Sequence, residues 1–346
     1  MEPFRYNVTN SLIGSISRIE ASRSLIDNAV LIPLWERQFR DEAILRAVHH
    51  STHVEGNPLS MFQAQKILDG QNIPSIEEQF AQEIINYREA MRYIEEVYQD
   101  HHKPITMETI RKMHQIVMQD ILDAKSLGKF RLGKVVVRNN LNGEVVFTPP
   151  EATEVSDLME ACLKSLWEQA ADNVHPVIRA GILHYQMVYI HPFVDGNGRT
   201  ARSLATLSLY KDGYDFKRFF CMDEYYDADP LNYYQALKSA DKGDLTDWLE
   251  YFGSGLANEA ERVKERVLKL SRDARLRKVV GQIALNPRQE EILLFVERNG
   301  RISNADWRTL FPDVSDDTIL RDIKALVSKK MLRKRGKTKS SFYEGV

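Results

Sequence analysis

The chain has 346 residues, 28% of them charged and 43% hydrophobic, and carries a formal net charge of -2. That length exceeds one average domain and suits two or three. The near-neutral balance excludes a protein that coats nucleic acid along its whole length, but not one with a local basic patch.

Cys162 and Cys221 are the two cysteines and form no CxxC pair, so no disulfide framework is expected and a reducing compartment is. Met1-Glu2-Pro3-Phe4-Arg5 lacks an apolar signal core, and no run approaches the ~18 apolar residues of a membrane span. The expected address is the cytoplasm, with no membrane partner.

Taken in order, most of the chain carries helical periodicity. Phe39 to Ser51, Leu59 to Leu68, Ile76 to Tyr98 and Met107 to Ile121 read as helices. The period then changes. Lys134 to Arg138 and Glu144 to Thr148 are β-branched runs separated by Asn139-Asn140-Leu141-Asn142-Gly143, a hairpin signature that Pro149-Pro150 ends. Helical spacing resumes at Val155 to Glu168, Pro176 to Ile190, Ala201 to Lys211, Leu231 to Ser239 and Leu245 to Arg266. Glu259 to Lys278 alternates in charge and reads as an exposed connecting helix. Asn286 to Asn299, Ser303 to Phe311 and Asp316 to Lys330 follow as three short helices. Met331 to Gly345 reads as two short strands around Gly336, which is winged-helix order. The organisation predicted is an N-terminal helical region at 1–110, a core at 111–256, a connector at 257–280 and a winged-helix domain at 281–346.

The chemistry concentrates in His191-Pro192-Phe193-Val194-Asp195-Gly196-Asn197-Gly198-Arg199-Thr200-Ala201-Arg202. Glycines let a backbone approach a ligand closely. Successive amides in such a turn, at the start of a helix, make an anion-binding concavity. Arg199 and Arg202 share a helical face and suit a polyphosphate. Asp195 can hold Mg²⁺ against phosphate oxygens. His191 is the nearby group whose ordinary pKa suits proton abstraction near neutrality. A lone GNG turn is weak, and a lone histidine more often packs in a core; the combination within twelve residues points to a site.

This run resembles the signature of the Fic family, HPFxxGNGRxxR, without departure. The resemblance covers roughly residues 30 to 255. It implies a mainly α fold, with a helical core and a β-hairpin flap, and transfer of AMP from ATP to a hydroxyl of a protein. His191 would be the general base and Asp195 the Mg²⁺ ligand. Gly196, Asn197, Gly198 and Thr200 would cradle phosphates that Arg199 and Arg202 hold, and Phe193 would anchor the loop in the core. The hairpin from Val135 to Phe147, introduced by Gly128-Lys129-Phe130-Arg131, resembles the family's target-binding flap, whose edge would take an extended peptide. Tyr233 and Tyr234 resemble the segment near the adenine; an aromatic face stacks a purine, although tyrosine pairs on helices are as readily core. Dimers are common among such relatives, so a homodimer is an implied assembly.

Ser51-Thr52-His53-Val54-Glu55-Gly56-Asn57 resembles the family's inhibitory motif. A carboxylate at Glu55 paired with Arg202 would make that guanidinium less available to a phosphate, and Ser51 would hold the helix end. The bland alternative is a helix C-terminus capped by Gly56. A second reading has a carboxylate there orient water and reverse the modification. His49, His50 and His53 have spacing compatible with a zinc site, yet no HExxH or cysteine partner accompanies them, which favours a helix-surface or core role.

In the last segment, Arg333, Lys334, Arg335, Lys337 and Lys339 form a basic wing, the footprint of phosphate contact. Asp316-Asp317 at the start of the candidate recognition helix would repel DNA, so DNA and protein partners stay equally open. The leading reading is a protein adenylyltransferase restrained by Glu55. The alternative from another class is a DNA-binding regulator that senses nucleotide with little turnover.

Overall fold

The computed structural model describes all residues except 1–4, 30, 32, 72, 74–75, 100–103, 139–144, 280–284, 337–340 and 346. The chain divides into two compact units, Met1–Lys269 and Leu270–Val346.

The first unit is built on two helices, α7 (Pro176–Ile190) and α8 (Asn197–Lys211), that pack along each other. Both are buried nearly all round. In α8 every residue from Arg199 to Tyr210 is buried, with Ala201, Ser203, Ala205 and Ser208 among them. Small side chains let neighbours close in from all sides, which is why this central helix shows little amphipathic stripe. Pro176 opens α7 at the first helical position, where a missing N–H costs nothing. The segments α4 (Glu78–Gln99) and α5 (Met107–Val117) cover α8, and α6 (Val155–Ala171) covers α7. In α5 a Thr106–Thr109 capping box sets the start, and Ile110, Met113, His114 and Val117 form the buried stripe that the spacing predicts.

The helix α2 spans Pro33–His53, a turn and a half longer at its start than its periodicity suggests. It packs on α4 and on α9 (Met222–Ala228). The short helix α3 is Met61–Leu68, and α10 is Pro230–Ser239. The α1 helix (Asn10–Asp27) has no counterpart in the sequence reading. Its buried positions are Leu12, Ser15, Ile19, Ser22 and Ile26, and serine at two of the five hides the apolar stripe. It lies along α11 (Thr246–Val279), where Arg18 reaches Asn258 at 2.8 Å and Glu261 at 2.5 Å. The α11 helix runs unbroken through what reads as two segments, Leu245 to Arg266 and the charged connector.

The hairpin pairs β1 (Val137–Arg138) with β2 (Val145–Phe147) antiparallel, with an irregular register. The paired strands are shorter than their β-branched runs, and the tip from Asn139 to Glu144 lies outside the described residues.

In the second unit, α12 (Pro287–Asn299), α13 (Asn304–Leu310) and α14 (Asp316–Ser328) precede β4 (Leu332–Arg335) and β5 (Phe342–Gly345). A further strand, β3 (Arg301–Ser303), gives an antiparallel sheet of order β3-β5-β4. The core is Ile292, Val296, Ile302, Trp307, Ile319, Ile323, Leu326, Leu332 and Tyr343. The helix-helix-helix-hairpin order read from the sequence is present, and β3 is the addition; at three residues it is too short to carry a period.

Candidate functional site

The site forms where α7 hands over to α8. His191 caps α7 in the left-handed region, φ 50° and ψ 58°, a conformation most residues avoid and one that turns the chain sharply. Its Nδ1 donates to the Val188 carbonyl at 3.2 Å. A carbonyl only accepts, so the proton of the neutral ring is on Nδ1 and the lone pair is on Nε2. Burial lowers the His191 pKa, against a raising contribution from the Val188 bond and from Glu55. The imidazole is therefore poised as a neutral base.

Asn197 closes the turn. Its Oδ1 accepts from the Phe193 amide and its Nδ2 donates to the Phe193 carbonyl, both at 2.9 Å. Phe193 is fully buried and stacks on His114 with ring centroids 3.8 Å apart. Nε2 of His114 donates to the Asp195 carbonyl at 3.0 Å, and its Nδ1 accepts from the Gly128 amide at 3.0 Å. Burial pushes His114 down to about 4, so this ring bridges the two loops as a neutral link. Gly196 has φ +73°, and a Cβ there would meet Met118 Sδ at 2.4 Å. Only glycine fits.

The helix starts at Asn197, four residues earlier than its periodicity suggests, and this matters. The amides of Asn197, Gly198 and Arg199 become first-turn amides with no helical carbonyl to take. Thr200 faces inward, its hydroxyl donating to the Gly196 carbonyl at 2.8 Å, and so fastens the turn. Asp195 is exposed at the open side, and its Oδ1 accepts from the Gly196 amide at 2.6 Å.

Both arginines are buried against carboxylates from elsewhere. Arg199 Nη1 lies 3.3 Å from Glu83 of α4, yet its Nε and Nη1 make no hydrogen bond among the described residues. Arg202 is 2% exposed. Its Nη2 meets Glu55 Oε1 at 2.9 Å and the Ser51 carbonyl at 2.8 Å, while Nε meets Ser51 Oγ at 2.8 Å and Asp223 Oδ1 at 3.2 Å. Glu55 sits in the turn after α2, which Gly56 allows with φ +100°. Burial raises the Glu55 carboxyl, but Arg202 and Arg199 outweigh it and hold its pKa below the ordinary value. Gly198 faces the same oxygen: a Cβ built there would lie 2.2 Å from Glu55 Oε1. A carboxylate thus already occupies the anion seat at the head of α8.

The tyrosines separate. Tyr233 is 1% exposed within an aromatic cluster, 4.6 Å from Tyr226 by ring centroids, and its hydroxyl bonds His184 Nε2 at 2.9 Å. It offers no open face to a purine, because the helical turn that exposes one member of an adjacent pair buries the other. Tyr234 is 45% exposed, with its hydroxyl at the Val54 carbonyl beside Glu55.

Arg131 is a residue whose role the sequence reading does not assign. Fully buried, it donates to the carbonyls of His191 at 2.8 Å, Pro150 at 2.5 Å, Ile190 at 3.3 Å and Gly133 at 3.1 Å, and its amide takes the Pro192 carbonyl at 2.9 Å. It clips the His191 turn to the base of the hairpin. Asp223, Glu83 and His114 were likewise invisible, since each partner is remote in sequence.

In the second unit, Asp316 accepts from Trp307 Nε1 at 3.2 Å and pairs with Arg308, locking α13 to α14. Glu344 pairs with both Arg333 at 2.6 Å and Arg335 at 2.7 Å, so two of the β4 cations are partly neutralised by their own sheet. Lys337 and Lys339 lie outside the described residues.

A mainly helical unit whose two central helices meet at an anion-receptive turn, with a short hairpin beside it, defines the class. The Fic/DOC family model matches residues 104–209. Protein adenylyltransferase fic-1 of Caenorhabditis elegans is 29% identical over 273 residues, 78% of this chain and 50% of that protein. Protein adenylyltransferase Fic of Drosophila mojavensis is 30% identical over 223 residues, 62% of this chain and 40% of that protein. The chain spans about half the length of these relatives or less. A Fic family protein from Desulfovibrio desulfuricans superposes with a TM-score of 0.70 over all of this chain and 98% of that one, at 21% identity. A fragment of Fic-1 from C. elegans gives 0.61 over 76% of this chain and 74% of that one, at 25% identity. The chain carries a Fic/DOC family domain at residues 104–209 and shares its overall fold with Fic proteins. Among the described residues no helix is long and apolar enough to cross a membrane.

Proposed function

We propose that the chain is a protein adenylyltransferase that moves AMP from ATP to a serine, threonine or tyrosine hydroxyl, and that Glu55 restrains it. The observation that carries this reading is the seat at the head of α8, where an anion, the Glu55 carboxylate, lies against Gly198 and pairs with Arg202 at 2.9 Å. A polyphosphate needs the same amides and the same guanidinium. The Arg199 guanidinium, ion-paired with Glu83 but with Nε making no hydrogen bond among the described residues, fits a further anion. Adenylyltransferase names among the relatives support the same chemistry.

In this reading Nε2 of His191 takes the proton of the target hydroxyl. Its oxygen bonds to the α-phosphorus, the bond to the bridging oxygen breaks, and pyrophosphate leaves. The α8 amides and Arg199 stabilise the charge that shifts onto phosphate oxygens. The exposed carboxylate of Asp195 fits Mg²⁺, a hard cation that prefers oxygen, and Mg²⁺ bound there supplies charge neutralisation. The target would dock on the hairpin, where Val136 and Val145, with Leu132 just ahead of the first arm, expose apolar side chains.

The test is intact-mass and peptide mass spectrometry of the full chain and of Glu55→Gly after incubation with ATP and Mg²⁺, each with and without His191→Ala. The expected result is an AMP adduct in Glu55→Gly that His191→Ala abolishes. No adduct, together with ATP-dependent binding of DNA, would move the reading to a nucleotide-sensing regulator.

A further inference from the structure

The histidines at the end of α2 meet a carboxylate that the sequence does not place beside them. Nδ1 of His50 lies 2.7 Å from Asp227 Oδ2, and Nδ1 of His53 lies 2.6 Å from Asp227 Oδ1. A carboxylate accepts, so both rings carry their proton on Nδ1 and leave Nε2 as a lone pair. Nε2 of His50 and Nδ1 of His49 are buried and have no hydrogen-bond partner among the described residues. Buried imidazole nitrogens without a partner call for an explanation. Donor atoms of His49, His50 and Asp227 lie within 4.8 Å of one another.

We propose that His49, His50 and Asp227 form a binding site for a divalent transition metal of the zinc class. Two imidazoles and one carboxylate match the ligand types of such an ion, and a hard cation such as Mg²⁺ is disfavoured by the imidazoles. His53 holds the second oxygen of Asp227 and would orient that carboxylate. Bonds of about 2.1 Å in a tetrahedral arrangement separate donors by roughly 3.4 Å. The metal would take the place of the proton between His50 Nδ1 and Asp227 Oδ2, releasing it to solvent, and draw His49 in to the same ion.

The position gives the site a consequence. His50 and Glu55 belong to one short stretch, and Asp227 follows Asp223 by one helical turn on α9. Glu55 and Asp223 are the two carboxylates on Arg202. A metal joining the end of α2 to α9 therefore tightens the clamp on Arg202. This coupling, unlike the site itself, rests on the restraining role of Glu55.

The experiment titrates Zn²⁺ into tag-free, chelator-stripped full chain against a chromogenic competitor. One equivalent is expected in the wild type, in Glu55→Gly and in Asp195→Ala, with affinity at least tenfold weaker in His50→Gln and Asp227→Asn. A wild type that takes no zinc from the competitor, or variants that bind equally well, overturns the site. Thermal unfolding is the independent readout: Zn²⁺ raises the Tm of the wild type and not that of His50→Gln, and an equal rise in both overturns the site. With Mg²⁺ in excess, a zinc-selective chelator is expected to raise wild-type self-labelling severalfold and leave Glu55→Gly unchanged. A wild-type rate indifferent to the chelator overturns the coupling. If Glu55→Gly is itself no faster than wild type, the restraint by Glu55 fails, and the zinc titration still decides the site.

Discussion

Replacing Glu55 by glycine removes one contact on Arg202, leaves those of Ser51 and Asp223, and vacates the anion seat at Gly198. A hydrogen bond between charged partners contributes about 1.5–3 kcal/mol. Arg202 is buried, but the Glu55 side chain is 31% exposed, which screens the pair and points to the lower part of that range. About 1.5–2 kcal/mol released to a competing phosphate corresponds to roughly a 10- to 30-fold gain in productive binding. Ser51 and Asp223 still hold the guanidinium, so the variant should lose little stability, within about 1 kcal/mol. The assay is initial-rate self-labelling with radiolabelled ATP at subsaturating nucleotide, with thermal unfolding as the folding control. Glu55→Gln, which keeps size and loses charge, should gain less than Glu55→Gly. Unchanged labelling in both variants at wild-type stability would refute the competition between Glu55 and nucleotide.

Labelling by Glu55→Gly should depend on pH through His191. Its pKa is lowered by burial, so the base form persists below the ordinary value of about 6.5 and activity is lost only as pH falls further. Removing Glu55, which raises that pKa, should move the acid limb lower still; a limb above neutrality in a pH-rate profile would contradict the assignment. Arg131→Ala should cost roughly 2–4 kcal/mol in urea unfolding, because it strips donors from several carbonyls at once. Labelling should fall as well, with kcat affected more than KM, since His191 loses its anchor. Tyr234→Ala should raise KM for ATP a few-fold at unchanged stability, whereas Tyr233→Phe should lower stability by about 1 kcal/mol and leave KM alone. Equal effects on KM from both would refute the separation of the pair.

The sequence by itself determined what is local. The loop from His191 to Arg202 concentrates base, carboxylate, glycine turn and arginines within twelve residues, so its site character needs no tertiary contact to be seen. Most helices and the hairpin arms follow from spacing and β-branching, because each buries one face against a neighbour. Tertiary structure decided the rest. The α1 helix hides its stripe behind buried serines, and the start of α8 inside the loop is not legible because the helix is buried all round, where periodicity has no contrast to offer. The carboxylates on the motif arginines, Glu83 and Asp223, come from other helices, as does the Asp227 that meets the histidines of α2. Which of Tyr233 and Tyr234 faces the core depends on the rotation of α10 against its neighbours, and no pattern of two adjacent tyrosines encodes that. Long-range pairing of charge is set by where helices cross, and that crossing exists only once the chain has folded.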